Sequence, residues 1–365
     1  MASASAPAPL PTKLDYSAFS VPLTREQVAA WRQAAKASGK RWAQVNVASI
    51  IILVVVLPIV LGTIFVPVLG IISVAGDSSN GAQSAGVIIV PLLIISGLVV
   101  LVVALARGAN GNRWERWMRL DSFGTANGMV FSPADPNPSY PGAIFQLGSS
   151  RTSYDHFVSA SGRFFDMGNF KYTTSNGKNS TTHTWGFMAF NLDRRLPNMV
   201  LDAQANNGFF GSNLPASFDK KQVLHLEGDF DRYFTLYCPQ QYERDALYVF
   251  TPDLMALLID NAAPFDVEIV DDWMFVYASQ PFSMTWPGVY DRLFRILNTV
   301  GAKTLTQTDR YVDERVGNFA ANVVAPPGQR LKRRIPVVAI VIVAVLVLWP
   351  LLGIFGGIVS GITGN

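Results

Sequence analysis

Charged side chains are absent from three long stretches of this sequence. No Asp, Glu, Lys or Arg occurs between Arg41 and Asp77, between Asp77 and Arg107, or after Arg334. A bilayer core requires roughly 20 apolar residues in a helix that crosses it. Over all 365 residues the chain is 50% hydrophobic and only 15% charged, which is too apolar for an ordinary soluble protein. We therefore predict three transmembrane helices, over residues 47–75, 85–106 and 335–358.

Cysteine and histidine are also scarce. The single cysteine, Cys238, excludes an intrachain disulfide and a cysteine-rich zinc site, and it is typical of a protein kept in a reducing compartment. The three histidines, His156, His183 and His225, lack the paired spacing of most zinc sites. The sequence therefore predicts neither a metal nor a cofactor.

Sequence motifs of catalysis are missing as well. There is no phosphate-binding loop, no Gly-x-Gly-x-x-Gly after a strand, no Gly-x-Ser-x-Gly elbow and no His-Glu-x-x-His helix. The densest acidic cluster consists of Glu227, Asp229 and Asp231. It admits two interpretations, a cation or acid–base site and a charged turn beside Gly228. The turn is favoured because no ligand loop surrounds the carboxylates, and we predict no catalytic residue.

Lysine and arginine flank the apolar stretches and predict their orientation, since positive flanks stay on the cytoplasmic side during insertion. Basic residues precede the first stretch, follow the second and precede the third, whereas the loop 76–84 and the C-terminal tail have none. We predict a multi-pass protein of the cell (inner) membrane. Its N-terminus and main domain would be cytoplasmic and its C-terminus outside.

The segments beside the predicted spans form a candidate membrane interface. Residues 1–23 are predicted to be disordered, and Thr24 with Gln27 forms a capping box that opens an amphipathic juxtamembrane helix over 24–41. This helix has two interpretations, a sensor of anionic lipid and a topology anchor, of which we favour the anchor. The predicted interface residues are Arg25, Trp31, Arg32, Lys36, Lys40, Arg41, Trp42, Arg113, Trp114, Arg116, Trp117, Arg330, Lys332, Arg333 and Arg334.

The charged middle of the chain predicts an α+β cytoplasmic domain, an antiparallel sheet with a few helices, over residues 154–316. A linker over 107–153 would precede it, and a flexible basic linker over 317–334 would follow it. Asn176-Gly177 is the commonest hairpin signal and lies between two strand-like runs. Short connections favour antiparallel pairing, because parallel strands need long crossovers.

Three further elements are predicted late in this domain. Thr251-Pro252 indicates a helix start, with proline at the first helical position. Residues 265–278 predict a second hairpin that turns at Asp271-Asp272, with Asp266 and Glu268 on a solvated face. Residues 289–300 predict an amphipathic helix that Gly301 closes.

Four short stretches resemble a known family. They are Arg195–Leu201, Gly228–Asp231, Phe234–Tyr237 and Thr251–Leu254. Together they are similar to uncharacterised bacterial membrane proteins whose cytosolic domain has no assigned function. The resemblance implies a cytosolic domain tethered to a bacterial cell membrane, and it carries no catalytic residue over to this chain.

The sequence predicts a function only at the level of class. We expect a membrane-tethered cytosolic binding or interaction module, with the lipid bilayer and an unidentified protein as partners. The alternative is a membrane-anchored hydrolase that uses the acidic cluster near Glu227 to Asp231. Nucleic-acid binding is disfavoured because no basic stripe interleaved with aromatics occurs in the domain, and transport is disfavoured because the apolar stretches contain no ionisable group.

Overall fold

The computed structural model describes residues 13–39, 112–177, 179–208, 212–215, 217–318 and 321–333. The chain divides into two compact units, Asp15–Phe123 and the part from Gly124 onward, and we describe each separately.

The N-terminal unit is helical. Helix α1 spans Ser17–Ser20, α2 spans Arg25–Ala37, and residues 112–126 form α3. The predicted capping box is confirmed: the Thr24 hydroxyl accepts the Gln27 N–H at 3.2 Å, and the Gln27 side chain accepts the Thr24 N–H at 2.8 Å. This reciprocal pair satisfies two N–H groups that the first turn leaves without helical partners.

Tryptophan and arginine side chains hold α2 and α3 together. The Trp31 ring meets Trp114 edge to face at 6.1 Å, and the Trp31 indole N–H donates to Asp121 at 2.9 Å. The Arg32 guanidinium lies 4.9 Å from the centre of the Trp114 ring, a cation–π distance. Trp114 is consequently buried.

Several other predicted interface residues also lie in this unit. Arg113 stacks over Trp117 at 4.9 Å, whereas Arg25 and Lys36 are exposed on α2. Positions 40, 41, 42 and 334 lie outside the described residues. The structure does not test whether this set contacts lipid, so that assignment stays a prediction.

The predicted transmembrane architecture requires correction. A spanning element needs roughly 20 apolar residues in one continuous helix, and nothing in the described part of the chain is at once so long and so apolar. The three apolar stretches, 47–75, 85–106 and 335–358, lie outside the described residues. The fold class with three transmembrane helices is therefore not supported, and neither is a multi-pass inner-membrane location. What the structure shows is an antiparallel sheet with helices.

Seven strands of the described residues form one antiparallel sheet in the larger unit. The hydrogen-bonded order is β1-β2-β3-β4-β6-β5, and β7 also pairs with β4. The strands are β1 Met129–Pro136, β2 Ser149–Ser159, β3 Phe165–Ser175, β4 Ser180–Ala203, β5 Val223–Leu224, β6 Phe234–Tyr237 and β7 Asp266–Ala278.

Local turn chemistry sets the first part of this sheet. The predicted hairpin at Asn176-Gly177 is confirmed, because β3 and β4 pair in register from Phe165↔Phe190 to Ser175↔Ser180. Gly177 has a φ of 90°, a left-handed conformation that glycine adopts without strain. The segment 107–153, predicted as a linker, contains all of α3 as described, all of β1 and the start of β2.

Strand β7 bends back on itself. The Tyr277 hydroxyl lies 2.7 Å from the Glu268 carboxylate, nine residues earlier, whereas a straight strand would separate residues so spaced by roughly 30 Å. Asp271 has a left-handed φ of 53° at the bend. The predicted hairpin is wrong because both halves of β7 pair with β4, whose own register shifts between Asn191 and Leu196. Bends of this kind carry a strand from one packed layer to the next.

Glu268 fixes the bend from inside. Its carboxylate accepts hydrogen bonds from the Ala143 N–H at 2.7 Å, the Tyr277 hydroxyl at 2.7 Å and the Asn198 amide at 3.3 Å. Asn198 in turn accepts the Leu331 N–H at 3.1 Å. Burial raises the pKa of Glu268, and the hydrogen bonds that it accepts oppose that shift.

The predicted solvated face of β7 is also wrong. Asp266 is 0% exposed and Glu268 is 5% exposed. Burial raises the pKa of Asp266 to about 7, and it raises the pKa of the neighbouring Asp202 to about 6. Acidic residues at alternating positions of a strand usually indicate a solvent-exposed face. Here the bend of β7 buries both carboxylates.

The helices of this unit lie in its C-terminal half. They are α4 Glu243–Val249, α5 Pro252–Ala262, α6 Pro287–Ile296, α7 Ala302–Thr308 and α8 Pro326–Gln329. The proline start of α5 is confirmed. Gly301 does not end the helix before it, because a π-helical turn, Leu297–Gly301, continues into α7. A Cβ on Gly301 would lie 3.1 Å from the Phe190 ring, so the glycine lets this ring pack closely against the helix.

The segment after α8 is docked on the sheet rather than free of it. The Gln222 side chain exchanges two hydrogen bonds of 2.9 Å with the backbone of Lys332, and Arg330 forms an ion pair with Asp271 at 3.2 Å. Leu331 is buried in the aromatic core. The chain from 321 to 333 therefore differs from the flexible linker that its composition predicts.

Removing the Tyr277 hydroxyl tests the role of Glu268. We expect Tyr277→Phe to lower the free energy of unfolding of the full chain by roughly 1–3 kcal/mol, because a buried carboxylate loses one donor while the packing stays the same. Urea unfolding followed by tryptophan fluorescence measures the change. The matched control is Tyr233→Phe, at an exposed ring, which should change stability by less than about 0.5 kcal/mol. Equal effects of the two variants would contradict the proposed role.

Candidate functional site

The acidic cluster named by the sequence forms an exposed turn. The His225 ring lies 2.7 Å from the Asp231 carboxylate, but their side chains are 79% and 41% exposed. Glu227 and Asp229 are exposed as well. General acid–base catalysis relies on carboxylates whose surroundings tune their pKa values, and these side chains lie in solvent. The hydrolase alternative therefore receives no support from the geometry.

The three histidines lie in separate places. His183 bonds Thr174 at 2.9 Å and stacks on Tyr172, and His225 lies on the acidic turn. His156 alone is buried, and it lies between two carboxylates. Its Nδ1 is 2.8 Å from Asp166 and its Nε2 is 2.9 Å from Asp135.

The geometry at His156 favours a positively charged ring. Burial by itself would lower the pKa of His156, but the carboxylates of Asp166 and Asp135 outweigh burial and raise it to about 9. The same hydrogen bond lowers the pKa of Asp135. The Tyr140 hydroxyl donates to the second oxygen of Asp166 at 2.6 Å. Both ring nitrogens are thus occupied, so His156 joins strands β1, β2 and β3 and has no nitrogen left to act as a base.

A cleft of about 640 Å³ opens beside α6. This volume lies within the usual range of ligand pockets, roughly 300–1,000 Å³. Most of its lining surface is apolar, and the polar groups lie at its rim. Its lining residues are Phe265, Ala278, Gln280, Pro281, Phe282, Ser283, Trp286, Gly288, Val289, Asp291, Arg292, Leu293 and Arg295.

The bend in β7 builds the floor of this cleft. Phe265 comes immediately before the strand and Phe282 follows soon after it, yet their rings meet edge to face at 6.0 Å. Helix α6 supplies Val289 and Leu293, both buried. Two ends of one strand and one helix face thus converge on the same apolar space.

Asn169 and Gly186 hold Phe282 in position. The Asn169 amide accepts the Phe282 N–H at 2.6 Å and donates to the Phe282 carbonyl at 3.1 Å. Its register partner is Gly186, where a Cβ would lie 2.9 Å from the Phe282 ring. The two positions therefore clamp the backbone of Phe282 and leave room for its ring.

Trp286 forms the outer wall at the start of α6. Its ring lies over Gly288, where a Cβ would be 2.7 Å away, and Pro287 occupies the first helical turn between them. Trp286 remains 64% exposed, the highest value among the large hydrophobic side chains of the described residues. An indole that the described residues leave open to solvent beside an apolar cleft is a candidate contact surface.

Two arginines give the rim a positive charge. Arg292 and Arg295 are exposed on α6, and the Arg292 guanidinium lies 5.7 Å from the centre of the Phe265 ring. Neither arginine forms an ion pair with any residue that the structure describes. Asp291 lies on the same rim and is not a free carboxylate, because it takes part in an interaction of its own.

Sequence reasoning did not find this cleft. Its residues come from both ends of a strand that the sequence predicts to be a hairpin, and no motif connects them. The local signal was Trp286-Pro287-Gly288, an exposed aromatic directly before a helix start. That pattern alone predicts a helix boundary and not a site.

Comparison with known proteins adds little. No family model matches the chain, and no curated protein matches it at a significant level. Among solved structures, the chain is similar to the crystal structure of the mycobacterial trehalose monomycolate transport factor A, TtfA. The two sequences are 12% identical, the TM-score is 0.34, and the match covers 52% of this chain and 92% of that one. At this TM-score the likeness bears on neither the site nor its ligand.

The pH dependence of stability tests the charged state of His156. A raised pKa means that the ion pairs stabilise the protein fully below pH 6.5 and that this contribution is lost as the pH rises through about 9. We expect the free energy of unfolding of the full chain to fall by up to roughly 3 kcal/mol across that window, and we expect His156→Gln to lack this fall. The exposed-site control His225→Gln should keep the wild-type profile. A profile that His156→Gln leaves unchanged would refute the assignment.

Hydrogen exchange tests the clamp at Phe282. Asn169→Ala removes both side-chain bonds to that backbone, so the Phe282 amide should exchange roughly tenfold faster or more, consistent with the loss of at least one bond of about 1–1.5 kcal/mol. Mass spectrometry of the peptide that contains Phe282 measures the rate. Asn179→Ala, on the exposed hairpin turn, is the matched control. Unchanged exchange in Asn169→Ala would mean that the clamp does not order the cleft.

Proposed function

We propose that this chain is a binding module whose cleft beside Trp286 takes an exposed segment of a partner protein. The segment would place an apolar side chain between Phe282 and Leu293 and an acidic side chain at Arg292 or Arg295. The observation that carries the proposal is an apolar cleft of about 640 Å³ that an exposed tryptophan borders.

A protein segment fits the exposure of the cleft better than an enclosed small molecule. Small-molecule sites usually bury most of the ligand surface, whereas Trp286 is 64% exposed and Pro281 and Ser283 beside it are also exposed. Tryptophan and arginine are the residue types that most often dominate the energetics of protein interfaces. Both types lie at this cleft, and neither Arg292 nor Arg295 forms an ion pair with a described residue.

The positive charge at the rim would recognise the acidic side chain of the partner segment. Two exposed arginines near an apolar floor attract an acidic residue during encounter and disfavour a basic one. Arg292 is also oriented by its stacking on Phe265. The partner segment is therefore expected to combine a leucine or aromatic anchor with an aspartate or glutamate close by.

Selection from a random peptide library displayed on phage tests this proposal. Peptides selected on the full chain should be enriched in an apolar anchor followed or preceded by an acid. Fluorescence polarisation should then show that Trp286→Ala weakens the selected peptides about thirtyfold, the effect of a hot spot worth about 2 kcal/mol. Charge reversal at Arg292 and Arg295 to glutamate should weaken acidic peptides more than their amide analogues.

The control variant changes an exposed aromatic elsewhere. Tyr248→Ala on α4 removes a ring that is 42% exposed and lies outside the cleft, so it should leave peptide binding unchanged. The proposal fails if selected peptides bind Trp286→Ala as tightly as wild type. It also fails if selection yields no apolar anchor.

A further inference from the structure

Two buried carboxylates lie side by side where β4 and β7 meet, apart from the cleft residues. Leu201 pairs with Val267, so the next position on each strand places Asp202 opposite Asp266. Directly opposed residues in an antiparallel pair have Cβ atoms about 4.5–5.5 Å apart. Asp202 is 4% exposed and Asp266 is 0% exposed.

Each carboxylate has one oxygen that no described residue satisfies. The Ala203 N–H donates to Asp266 Oδ1 at 2.8 Å, but Asp266 Oδ2 accepts no hydrogen bond, and the same is true of Asp202 Oδ1. Buried polar atoms are almost always bonded, and an exception in a folded protein calls for a ligand, an ion or a water. Two unsatisfied oxygens on facing side chains indicate a bound ligand, ion or water more strongly than one such oxygen would.

No protein cation compensates this pair. Among the described residues, no lysine, arginine or histidine forms an ion pair with Asp202 or Asp266. A buried charge without a partner is strongly unfavourable, and proteins pair such charges or coordinate them to a metal. Two carboxylates together match the charge of one divalent cation.

Neutral polar side chains lie next to the pair. The side chain of Ser212 lies beside Asp202, and that of Asn206 lies beside Asp266. Asn206 is itself held by a bond to the Pro264 carbonyl at 3.4 Å. Carboxylate, amide and hydroxyl oxygens are the donors that Ca²⁺ and Mg²⁺ prefer, whereas zinc prefers nitrogen and sulfur.

We propose that Asp202 and Asp266 bind one hard divalent cation, Ca²⁺ or Mg²⁺, through their two unsatisfied oxygens. The described residues contain no group of three or more His, Cys, Asp or Glu side chains arranged to hold a metal. Water and neutral oxygens from the surrounding chain, such as the Ser212 hydroxyl beside Asp202, therefore complete the coordination shell. A cation there would tie β4 to β7 and to the loop that follows β4.

Calorimetric titration and thermal unfolding of the full chain test this site. After EDTA treatment and exchange into chelator-free buffer, CaCl2 and MgCl2 are added separately, with NaCl controls of matched ionic strength. We expect one cation to bind per chain and to raise Tm by roughly 5–10 °C at a hundredfold excess over Kd. No binding heat and no Tm shift with either salt would overturn the proposal.

A double amide variant locates the site. Asp202→Asn with Asp266→Asn keeps the shape of both side chains and removes both charges, so the chain should fold while its response to the cation disappears. Circular dichroism checks the fold. The matched control is Asp229→Asn with Asp231→Asn on the exposed turn, which should respond like wild type. A response that survives in the buried double variant, or that disappears in the control, would show that the cation binds elsewhere.

Discussion

The hydrogen bonds that Glu268 accepts decide where β7 turns back, and much of the larger unit depends on that turn. The Ala143 backbone, the Tyr277 hydroxyl and the Asn198 amide all converge on one buried carboxylate. Each comes from a different part of the chain, so the carboxylate joins segments that no local interaction would hold together. Leaving any of these donors unsatisfied in the interior would cost about 1–3 kcal/mol, which makes the bent arrangement specific as well as stable.

The candidate binding cleft is a consequence of the same bend. Phe265 and Phe282 flank β7 and would lie far apart if the strand were straight, yet their rings meet at 6.0 Å. Asn169 and Gly186 then place Phe282 from the neighbouring strands. The floor of the cleft therefore stands on the sheet, whereas the exposed residues, Trp286 and the two arginines among them, lie at its rim. A preformed floor reduces the ordering cost of binding, because little of the site has to be immobilised by the partner.

Local sequence signals predicted local structure well. The Thr24–Gln27 capping box and the Asn176-Gly177 turn both occur as expected, because each depends on residues that are close in the chain. The bend of β7, its pairing with β4 and the burial of Asp266 and Glu268 could not be predicted from local signals. Acidic residues that alternate along a strand indicate an exposed face only if no other part of the chain covers that face. Here β4 pairs with the strand, and a backbone N–H that is distant in the sequence bonds to Asp266.

Hydropathy predicts helices in stretches that lie outside the described residues. Uncharged runs predict spanning helices because lipid tolerates them, but the described residues contain no helix that meets the requirements of length and apolarity. The glycines were ambiguous too: Gly177 serves a turn, whereas Gly186 and Gly301 allow close packing against Phe282 and Phe190. From sequence alone the two uses look identical, since both leave a residue without a side chain.

Strand β7 contains two buried acidic residues whose carboxylates differ in how fully they are hydrogen-bonded. Glu268 accepts three hydrogen bonds, whereas Asp266 accepts the Ala203 N–H on one oxygen and leaves the other unsatisfied beside Asp202. Neutral hydrogen-bond donors from the fold satisfy Glu268, and the charge of Arg330 also favours its ionised form. Neutral donors do not suffice at Asp266, because a second carboxylate faces it and donors of the backbone cannot cancel two like charges in a medium of low dielectric constant. The difference follows from the register of β4 against β7: a shift of one residue would turn Asp202 to the opposite face and separate the pair.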